Sequence, residues 1–115
     1  MAGRISLYEI PTYALFDSGS THSFISNQHA AKIGRKHERL DFDLIVSQPM
    51  SKGVKCSTVL RDCEANIGGI SMGIDLIPLG MSHFDVIIGM DWLTKFKAKI
   101  DCVLKAITFE EPKGG

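Results

Sequence analysis

The residues best suited to chemistry are Asp17, Ser18 and Gly19, which directly follow the apolar residues 13–16. A carboxylate at the end of a rigid strand is held in a fixed orientation. Gly19 lets backbone N–H groups approach that carboxylate, and the small Ser18 leaves room for a second chain. The same three residue types also favour an ordinary β-turn. Taken alone, the tripeptide leaves both a catalytic carboxylate and a simple turn open.

A second segment of interest is residues 84–93, with the sequence Phe-Asp-Val-Ile-Ile-Gly-Met-Asp-Trp-Leu. Its apolar Ile87 and Ile88 lead into Gly89, and Asp91 is placed to cap a short helix that follows. This segment follows the Asp-Ser-Gly tripeptide later in the chain. Its apolar strand, glycine and capped helix favour the catalytic interpretation of the tripeptide over the simple turn.

The elements that must position these residues are mostly short strands. Apolar and polar residues alternate in residues 4–9, which is the pattern of a half-buried strand, and residues 10–12 (Ile-Pro-Thr) are predicted to form a turn. Gly68 and Gly69 suit the tight turn of a hairpin. The other predicted strands are residues 13–16, 23–26, 42–47, 54–60, 64–67, 70–77, 84–88, 99–104 and 106–109.

The sequence also predicts two short helices. Ser26 or Asn27 can cap a helix over residues 28–33, which Gly34 would end. The second helix covers residues 92–96. The predicted fold class is therefore all-β, with one or two short helices.

Composition fits one compact domain. The chain has 115 residues, of which 44% are apolar and 23% charged, so it can bury a core. We expect a single domain over residues 1–115, with its core at about residues 4–109 and a tail at residues 110–115. Thirteen Lys and Arg residues balance thirteen Asp and Glu residues, which gives no general attraction to nucleic acid or to an anionic membrane. No segment approaches the ~20 apolar residues of a membrane span, and the N-terminus lacks the apolar core of a secretory signal.

The three cysteines are Cys56, Cys63 and Cys102. They are odd in number and form no CxxC pair, so we interpret them as reduced thiols of a cytoplasmic protein. A zinc site that includes His37 or His83 is disfavoured, because no two ligands are closely spaced. No metal and no cofactor are expected.

With these motifs in place, the chain resembles the retropepsins. The pattern of that family is an apolar strand, Asp-Thr/Ser-Gly, a β-hairpin flap, and then two apolar residues and a glycine that lead into a helix. The sequence of residues 14–26, together with residues 84–93, is similar to gypsy-type LTR retrotransposon polyproteins, especially those of plants. Residues 100–102 and 107–109 also fit. The resemblance runs from about Ser6 to Phe109, and it implies a closed β-barrel or sandwich that is half of a pepsin-like fold.

The resemblance implies a role for each residue of the Asp-Ser-Gly loop. Asp17 is the catalytic carboxylate, Ser18 hydrogen-bonds across a dimer axis, and Gly19 contacts the substrate backbone. The hydroxyl of Ser20 either donates to the outer oxygen of Asp17 or belongs to an ordinary solvated loop serine. Aspartic proteases use two carboxylates that share a proton, and this chain has a single Asp-Ser/Thr-Gly. A second copy must therefore supply the other aspartate.

The resemblance also predicts residues that cover and support the substrate. The flap is expected at the tip of the hairpin, at Pro49, Met50, Ser51, Lys52 and Gly53. Residues expected to support the substrate pocket are Ile87, Ile88 and Gly89.

This sequence departs from the retroviral pattern at two positions. Retroviral enzymes often pair an Arg after the second glycine with an Asp four residues past the catalytic one. Here these positions are Met90 and Thr21, so that ion pair is absent. We expect dimer cohesion to rest on apolar contacts of Trp92, Leu93 and the terminal strands, although Trp92 also suits a place in the core.

The leading hypothesis is a homodimeric aspartic endopeptidase that cleaves a retroelement polyprotein. Its partners are a second copy and a peptide substrate, with neither nucleic acid nor membrane. A domesticated, non-proteolytic dimerisation or binding module on the same fold is the first alternative. The retroviral-like protease domain of ubiquitin-shuttle proteins is the second. Nucleic-acid binding is disfavoured by the zero net charge.

Overall fold

The computed structural model describes residues 1–48, 51–101 and 103–110. These residues form nine strands and two helices in the order β1 (Ala2–Leu7), β2 (Ile10–Phe16), β3 (Phe24–Ser26), α1 (Asn27–Ile33), β4 (Glu38–Gln48), β5 (Ser51–Ile67), β6 (Ile70–Leu79), β7 (Val86–Ile88), α2 (Met90–Lys95), β8 (Lys99–Asp101) and β9 (Ala106–Thr108). The predicted all-β class with short helices is confirmed.

Six of the strands close into a mixed barrel. They follow the order β1-β2-β7-β3-β6-β5, and a pairing between β1 and β5 closes the circle. β2 pairs with β7 in parallel, and β3 pairs with β6 in parallel. β4 pairs with the first half of β5, from Glu38↔Val59 to Gln48↔Ser51. This leaves the β4–β5 hairpin projecting from the barrel. Closure also removes the unpaired edges that an open sheet would expose.

The core lies inside the barrel, because alternate residues of each strand point inward. Its fully buried members include Leu7, Ile25, Leu60, Leu76 and Ile88. A smaller apolar cluster lies under the β4–β5 hairpin and consists of Phe24, Cys56, Val59, Ile77 and Leu79. The hairpin therefore packs at its base on the barrel, and two residues of this cluster, Phe24 and Leu79, also line the cleft described below.

The first helix ends as predicted and begins one residue earlier than predicted, at Asn27, after the cap Ser26. The Ser26 side chain accepts a hydrogen bond from the N–H of His29 at 3.0 Å. Gly34 has a φ of 67° and donates its N–H to the carbonyl of Ala30 at 3.0 Å. A left-handed residue at this position suits glycine, which has no Cβ to clash.

The predicted cap of the second helix is wrong. α2 begins at Met90, its N-cap is Gly89, and no side chain caps it. Asp91 lies inside the first turn, where its Oδ1 accepts hydrogen bonds from the N–H of Trp92 and from the hydroxyl of Ser23. Met90, the first residue of the helix, donates its N–H to the carbonyl of Ser20, so the helix begins directly beside the Asp17 loop.

Several predicted strand boundaries also require correction. Residues 10–12 belong to β2, and the chain reverses at Tyr8 and Glu9, which have φ angles of 47° and 66°. The predicted strands 54–60 and 64–67 are parts of the single strand β5, interrupted by a bulge at which Asp62 has a φ of 50°. A bulge bends a strand without ending it. The observed strands β7, β8 and β9 are shorter than predicted.

In the described part of the chain, no helix has the length and apolar character needed to cross a bilayer.

Candidate active site

The parallel pair β2 and β7 brings the two sequence motifs together. Phe16 lies opposite Ile88 at the end of the pair, so Asp17 and Gly89 leave the barrel at the same edge. The N–H of Asp17 donates to the carbonyl of Ile88 at 2.9 Å. Motifs far apart in sequence therefore form one loop cluster.

The Asp17 side chain is oriented by its own loop. The N–H of Gly19 donates to Asp17 Oδ1 at 2.8 Å, and the N–H of Ser20 donates to the Asp17 carbonyl at 3.2 Å. A Cβ at position 19 would lie 3.1 Å from the same Oδ1, closer than most such contacts. A glycine at this position lets the backbone bind the carboxylate.

Gly89 supports this loop from the β7 side. A Cβ at position 89 would lie 2.2 Å from the carbonyl oxygen of His22 and 2.7 Å from that of Ser20. The next residue, Met90, donates its N–H to the Ser20 carbonyl at 2.7 Å. Only a glycine lets the two loops approach so closely. Gly89, which is remote from Asp17 in sequence, thereby helps to hold the Asp17 loop in place.

Ser23 is a supporting residue that the sequence did not reveal. Its hydroxyl accepts a hydrogen bond from the N–H of Gly89 at 2.9 Å and donates to Asp91 Oδ1 at 2.7 Å. Ser23 is 1% exposed, so these bonds tie the Asp17 loop to the start of α2 away from water. The sequence carries no local signal for this link, because its partners lie more than sixty residues away.

The predicted role of the Ser20 hydroxyl is wrong in this structure. Ser20 Oγ donates to the carbonyl of His22 at 2.8 Å, rather than to the Asp17 carboxylate. This bond tightens the turn between the two residues, since a serine hydroxyl readily bonds to backbone nearby in sequence. Ser20 therefore shapes the loop, whereas Gly19 contacts the carboxylate.

A cleft of about 480 Å³ opens beside Asp17. One wall comes from the β4–β5 hairpin and the other from the barrel edge. The residues that line it are Asp17, Gly19, Ser20, Thr21, His22, Phe24, Leu44, Ile45, Val46, Ser47, Leu79, Gly80, Met81 and Ile87. The cleft walls are mainly apolar, and the titratable side chains among them are those of Asp17 and His22.

The predicted pocket and flap residues are distributed unequally around this cleft. Ile87 lines it, whereas Ile88 is fully buried in the core and supports it from beneath. Gly53 is exposed on β5, and a Cβ there would lie 2.5 Å from Ile45 Cγ2 on the facing strand. Ser51 and Lys52 begin β5. Pro49 and Met50 lie outside the described residues. The wall residues Phe24, Leu44, Leu79 and Met81 were not predicted.

Other aspartates have structural partners away from the cleft. The carboxylate of Asp75 accepts the N–H of Asp62 at 2.8 Å, and that of Asp85 accepts the N–H of Tyr13 at 2.8 Å. Asp91 is bound to Ser23 as described above. Within the described residues, Asp17 is therefore the one carboxylate that lines the cleft.

A polar network in which Thr12 and His29 are buried and Asp85 is partly exposed lies at the opposite end of the β2–β7 pair. His29 on α1 places Nε2 2.8 Å from Thr12 Oγ1, and its Nδ1 lies 3.7 Å from Asp85 Oδ1. Burial lowers the pKa of His29, the negative charge of Asp85 acts to raise it, and the positive charge of Lys32 acts to lower it further. The sequence alone did not indicate this network.

Trp92 belongs to the core. It is 3% exposed, contacts Phe16, Phe96 and Phe109, and directs its indole N–H to Met72 Sδ at 3.1 Å. The prediction that Trp92 contributes to cohesion between subunits is therefore wrong, because its surface is already covered within one chain.

A second groove, of about 610 Å³, lies on the other side of the Asp17 loop. It runs from Ser18 past α2 to β8 and is lined by Ser18, Met90, Leu93, Thr94, Lys97, Ala98, Lys99 and Ile100. The turn between β8 and β9 directly follows the groove residues in sequence. It carries two exposed apolar side chains, Val103 with an exposed fraction of 90% and Leu104 with one of 75%. Such exposure of large apolar side chains suits contact with another surface.

The cysteines that the structure describes are buried thiols. Cys56 and Cys63 are free, and burial raises the pKa of both, that of Cys63 to about 11. A raised pKa keeps a thiol protonated and unreactive. Among the described residues, no group of three His, Cys, Asp or Glu side chains is arranged to hold a metal ion. Cys102 lies outside them.

Comparison with known proteins agrees with this fold. Among solved structures, the chain is similar to the retroviral protease-like domain of Ddi1 from Leishmania major, with a TM-score of 0.74 and 17% identity over 97% of this chain and 89% of that one. It is also similar to EIAV protease, solved with the inhibitor HBY-793, with a TM-score of 0.69 and 14% identity over 88% and 91% of the two chains.

A third similar structure is a retropepsin-like aspartic protease from Rickettsia conorii, with a TM-score of 0.65 and 17% identity over 96% of this chain and 81% of that one. Comparison with curated protein sequences gives no match. The family model described as retroviral aspartyl protease matches residues 1–115. Because that match covers the whole sequence, the chain belongs to the retroviral aspartyl protease family.

Proposed function

We propose that this chain is the subunit of a homodimeric aspartic endopeptidase to which each copy contributes Asp17. The observation that supports this most directly is an oriented carboxylate in a cleft that contains no second one in the described residues. Peptide hydrolysis by this chemistry requires a pair of carboxylates that share a proton. A two-fold axis beside Asp17 would supply the pair from two identical loops.

In this mechanism, the charged member of the pair takes a proton from a water molecule, and the water oxygen attacks the peptide carbonyl. The neutral member gives its proton to the carbonyl oxygen, which yields a tetrahedral intermediate. Its C–N bond then breaks as the carboxyl that took the water proton gives it to the leaving nitrogen, while the other carboxylate takes a proton from a hydroxyl of the intermediate, so the pair again shares one proton. The bond from Gly19 N–H to Asp17 Oδ1 fixes the carboxylate before substrate arrives, so little reorganisation is needed during the reaction. Ser18, exposed at the loop tip, is placed to meet the partner loop.

The groove between Ser18 and β8 is the surface that we assign to the second copy. Its position beside the Asp17 loop is what a shared active site requires, and its floor includes the apolar Leu93, Ala98 and Ile100. Val103 and Leu104 on the β8–β9 turn are exposed. Their burial between two subunits would contribute about 1.5–3 kcal/mol per side chain.

The cleft suits an extended peptide whose side chains are mainly apolar. The β4–β5 hairpin provides one wall, and strand-like pairing with its edge would hold a peptide without demanding one sequence. We assign the hairpin tip, residues 47–53, the role of a flap that closes over substrate and excludes water. We assign as substrate the polyprotein of a retroelement in the cytoplasm, on the basis of the resemblance of residues 14–26 and 84–93 to gypsy-type elements.

A second candidate is the protease-like domain of ubiquitin-shuttle proteins. The similarity to the Ddi1 domain fits it. At 17% identity that similarity concerns the fold, and EIAV protease shares the same fold. The similarity therefore does not favour this candidate over the first. The intact Asp17-Ser18-Gly19 loop favours both over a non-proteolytic module, since a binding module needs no oriented carboxylate.

Subunit mixing tests the proposal. Wild-type protein at a concentration above its dimer dissociation constant is mixed with increasing amounts of Asp17→Asn, and cleavage of the flanking polyprotein is measured with and without pepstatin. Excess Asp17→Asn should draw wild-type chains into mixed dimers with one aspartate, so pepstatin-sensitive activity should fall. Asp41→Asn, which changes an exposed carboxylate on β4, should leave the activity undiminished. A fully active monomer, seen by sedimentation, would contradict the shared site.

A surface variant tests the assigned interface separately. Leu104→Lys places a charge where we expect an apolar subunit contact, so sedimentation should shift toward the monomer and activity should fall with it. Lys105→Gln, in the same exposed turn, should keep the dimer. If both variants sediment as the wild type does, the second copy binds elsewhere.

A further inference from the structure

The substrate cleft contains a histidine that the catalytic scheme does not use. His22 lines the cleft together with Asp17. It lies at the end of the same tight loop, held there by the bond from Ser20 Oγ to the His22 carbonyl and by the close approach of Gly89. The position of the imidazole relative to the catalytic carboxylate is therefore constrained by the backbone.

The imidazole is also held at one of its two nitrogens. His22 Nδ1 lies 2.9 Å from the hydroxyl of Thr21, and the ring centroid lies 6.4 Å from that of Phe42 on β4. Within the described residues, Nε2 has no hydrogen-bond partner. In the charged form of an imidazole both nitrogens are donors, so a bond at Nδ1 leaves Nε2 to bind an acceptor from outside the chain.

The other residues that line the cleft determine which kind of acceptor binds His22 Nε2 most strongly. Apart from Asp17, the lining side chains are uncharged, and many are apolar, such as Leu44, Val46 and Ile87. An anionic acceptor gains more from a cationic donor than a neutral one does, and apolar walls screen the pair less than open water does. In the proposed dimer the two-fold axis would place one His22 on each side of the paired aspartates.

We propose that His22 makes this cleft selective for peptides that carry a glutamate or aspartate side chain close to the scissile bond, among otherwise apolar residues. This inference rests on the proposed function, because it names the substrate of the same cleft. It gives the two histidines of a dimer equivalent roles, so an acidic side chain is favoured on either side of the cleaved bond.

Matched peptides test the selectivity. Each pair differs by Glu or Gln at one position, from four residues before to four residues after the scissile bond, and kcat/KM is measured in mildly acidic buffer. Wild-type protein should prefer Glu by about fivefold at one or more positions, the size expected for a partly exposed charge pair. In His22→Gln this ratio should fall to about one, and in His22→Lys, which keeps a cation, the ratio should persist.

His37→Gln is the matched control, because it removes an exposed imidazole that does not line the cleft, and it should keep the wild-type ratio. A wild-type ratio near one at every position, or an unchanged ratio in His22→Gln, overturns the inference while leaving the proposed protease intact. Absence of cleavage of any peptide overturns the proposed function. In that case, binding of the same Glu and Gln peptides to Asp17→Asn, with and without His22→Gln, decides the selectivity separately.

Discussion

The two ends of the parallel pair β2–β7 carry titratable groups in opposite environments. At one end, Asp17 borders a cleft of about 480 Å³ and is bound by the N–H of Gly19. At the other end, His29 is 2% exposed and lies between Thr12 and Asp85. The same two strands thus position a carboxylate beside an open cleft and an imidazole inside the fold.

The difference lies in what covers each end. At the His29 end, α1 brings the imidazole into hydrogen-bond contact with Thr12 and to within 3.7 Å of the Asp85 carboxylate. Such a satisfied network contributes to stability, because breaking it leaves buried groups without partners. At the Asp17 end the carboxylate borders the open cleft. What packs against each end of the strand pair therefore decides whether its titratable group borders a cleft or is enclosed within the fold. Four experiments test this difference between the two ends.

The largest effect is expected at the Asp17 end of the strand pair, for Asp17→Asn. The substitution keeps the shape of the side chain but removes a group that must take up or give a proton. Cleavage should fall by at least about 10³-fold, while the melting temperature stays close to that of the wild type. Activity assays and thermal unfolding of the same preparations check this. Asp41→Asn should match the wild type in both, and substantial turnover by purified Asp17→Asn would refute the assignment.

Gly89→Ala should affect both stability and catalysis, since it forces a Cβ against the carbonyl oxygens of His22 and Ser20. We expect a loss of about 3 kcal/mol in the free energy of unfolding and a large fall in activity, because the displaced loop carries Asp17. Chemical denaturation and cleavage assays measure the two. Gly3→Ala, where a Cβ would meet nothing within 4 Å, is the control. A stable and active Gly89→Ala would show that the loop tolerates displacement.

Thr12→Val should affect stability alone. Valine has nearly the shape of threonine but leaves His29 Nε2 without its partner at 2.8 Å. The free energy of unfolding should fall by about 1–2 kcal/mol, with activity per folded molecule retained. Thr108→Val, at an exposed position on β9, should change little. Loss of activity without loss of stability would mean that the two ends of the strand pair are coupled.

The smallest expected effect is on how the free energy of unfolding changes with pH. Burial lowers the pKa of His29, against the opposing charge of Asp85 and with that of Lys32, so the folded chain binds fewer protons here than the unfolded one. The contribution of neutral His29 to stability is complete above the ordinary imidazole pKa of about 6.5 and is lost as pH falls through the lower, folded pKa.

Denaturation from pH 7.5 to 5.0 measures this dependence, with Asp17→Asn as the background so that the chain does not cleave itself. His29→Gln should show a shallower fall in stability with acidification than its parent, whatever its starting stability. His37→Gln, at an exposed position, should keep the parental slope. Equal slopes in His29→Gln and its parent would assign the acid sensitivity to other groups.

Much of the site was predictable from sequence because its signals are local. The Asp17-Ser18-Gly19 loop follows directly from an apolar strand, and Gly19 contacts the carboxylate two residues before it. The caps of α1, Ser26 and Gly34, act within one turn of the helix. Such features depend on the residue types over a few positions, and the fold class follows from many short apolar segments separated by turns.

Pairing between strands and contacts between distant residues decided the remainder. The reversal at Tyr8 and Glu9 displaced the predicted turn because β1 and β2 pair through residues 10–12. The links from Ser23 to Asp91 and from Thr12 to His29 join residues whose separation in sequence carries no signal of contact. The sequence by itself determined the composition of the Asp17-Ser18-Gly19 loop and the all-β class. Closure of the barrel decided what covers each end of β2, and thereby which polar groups face the cleft and which face one another.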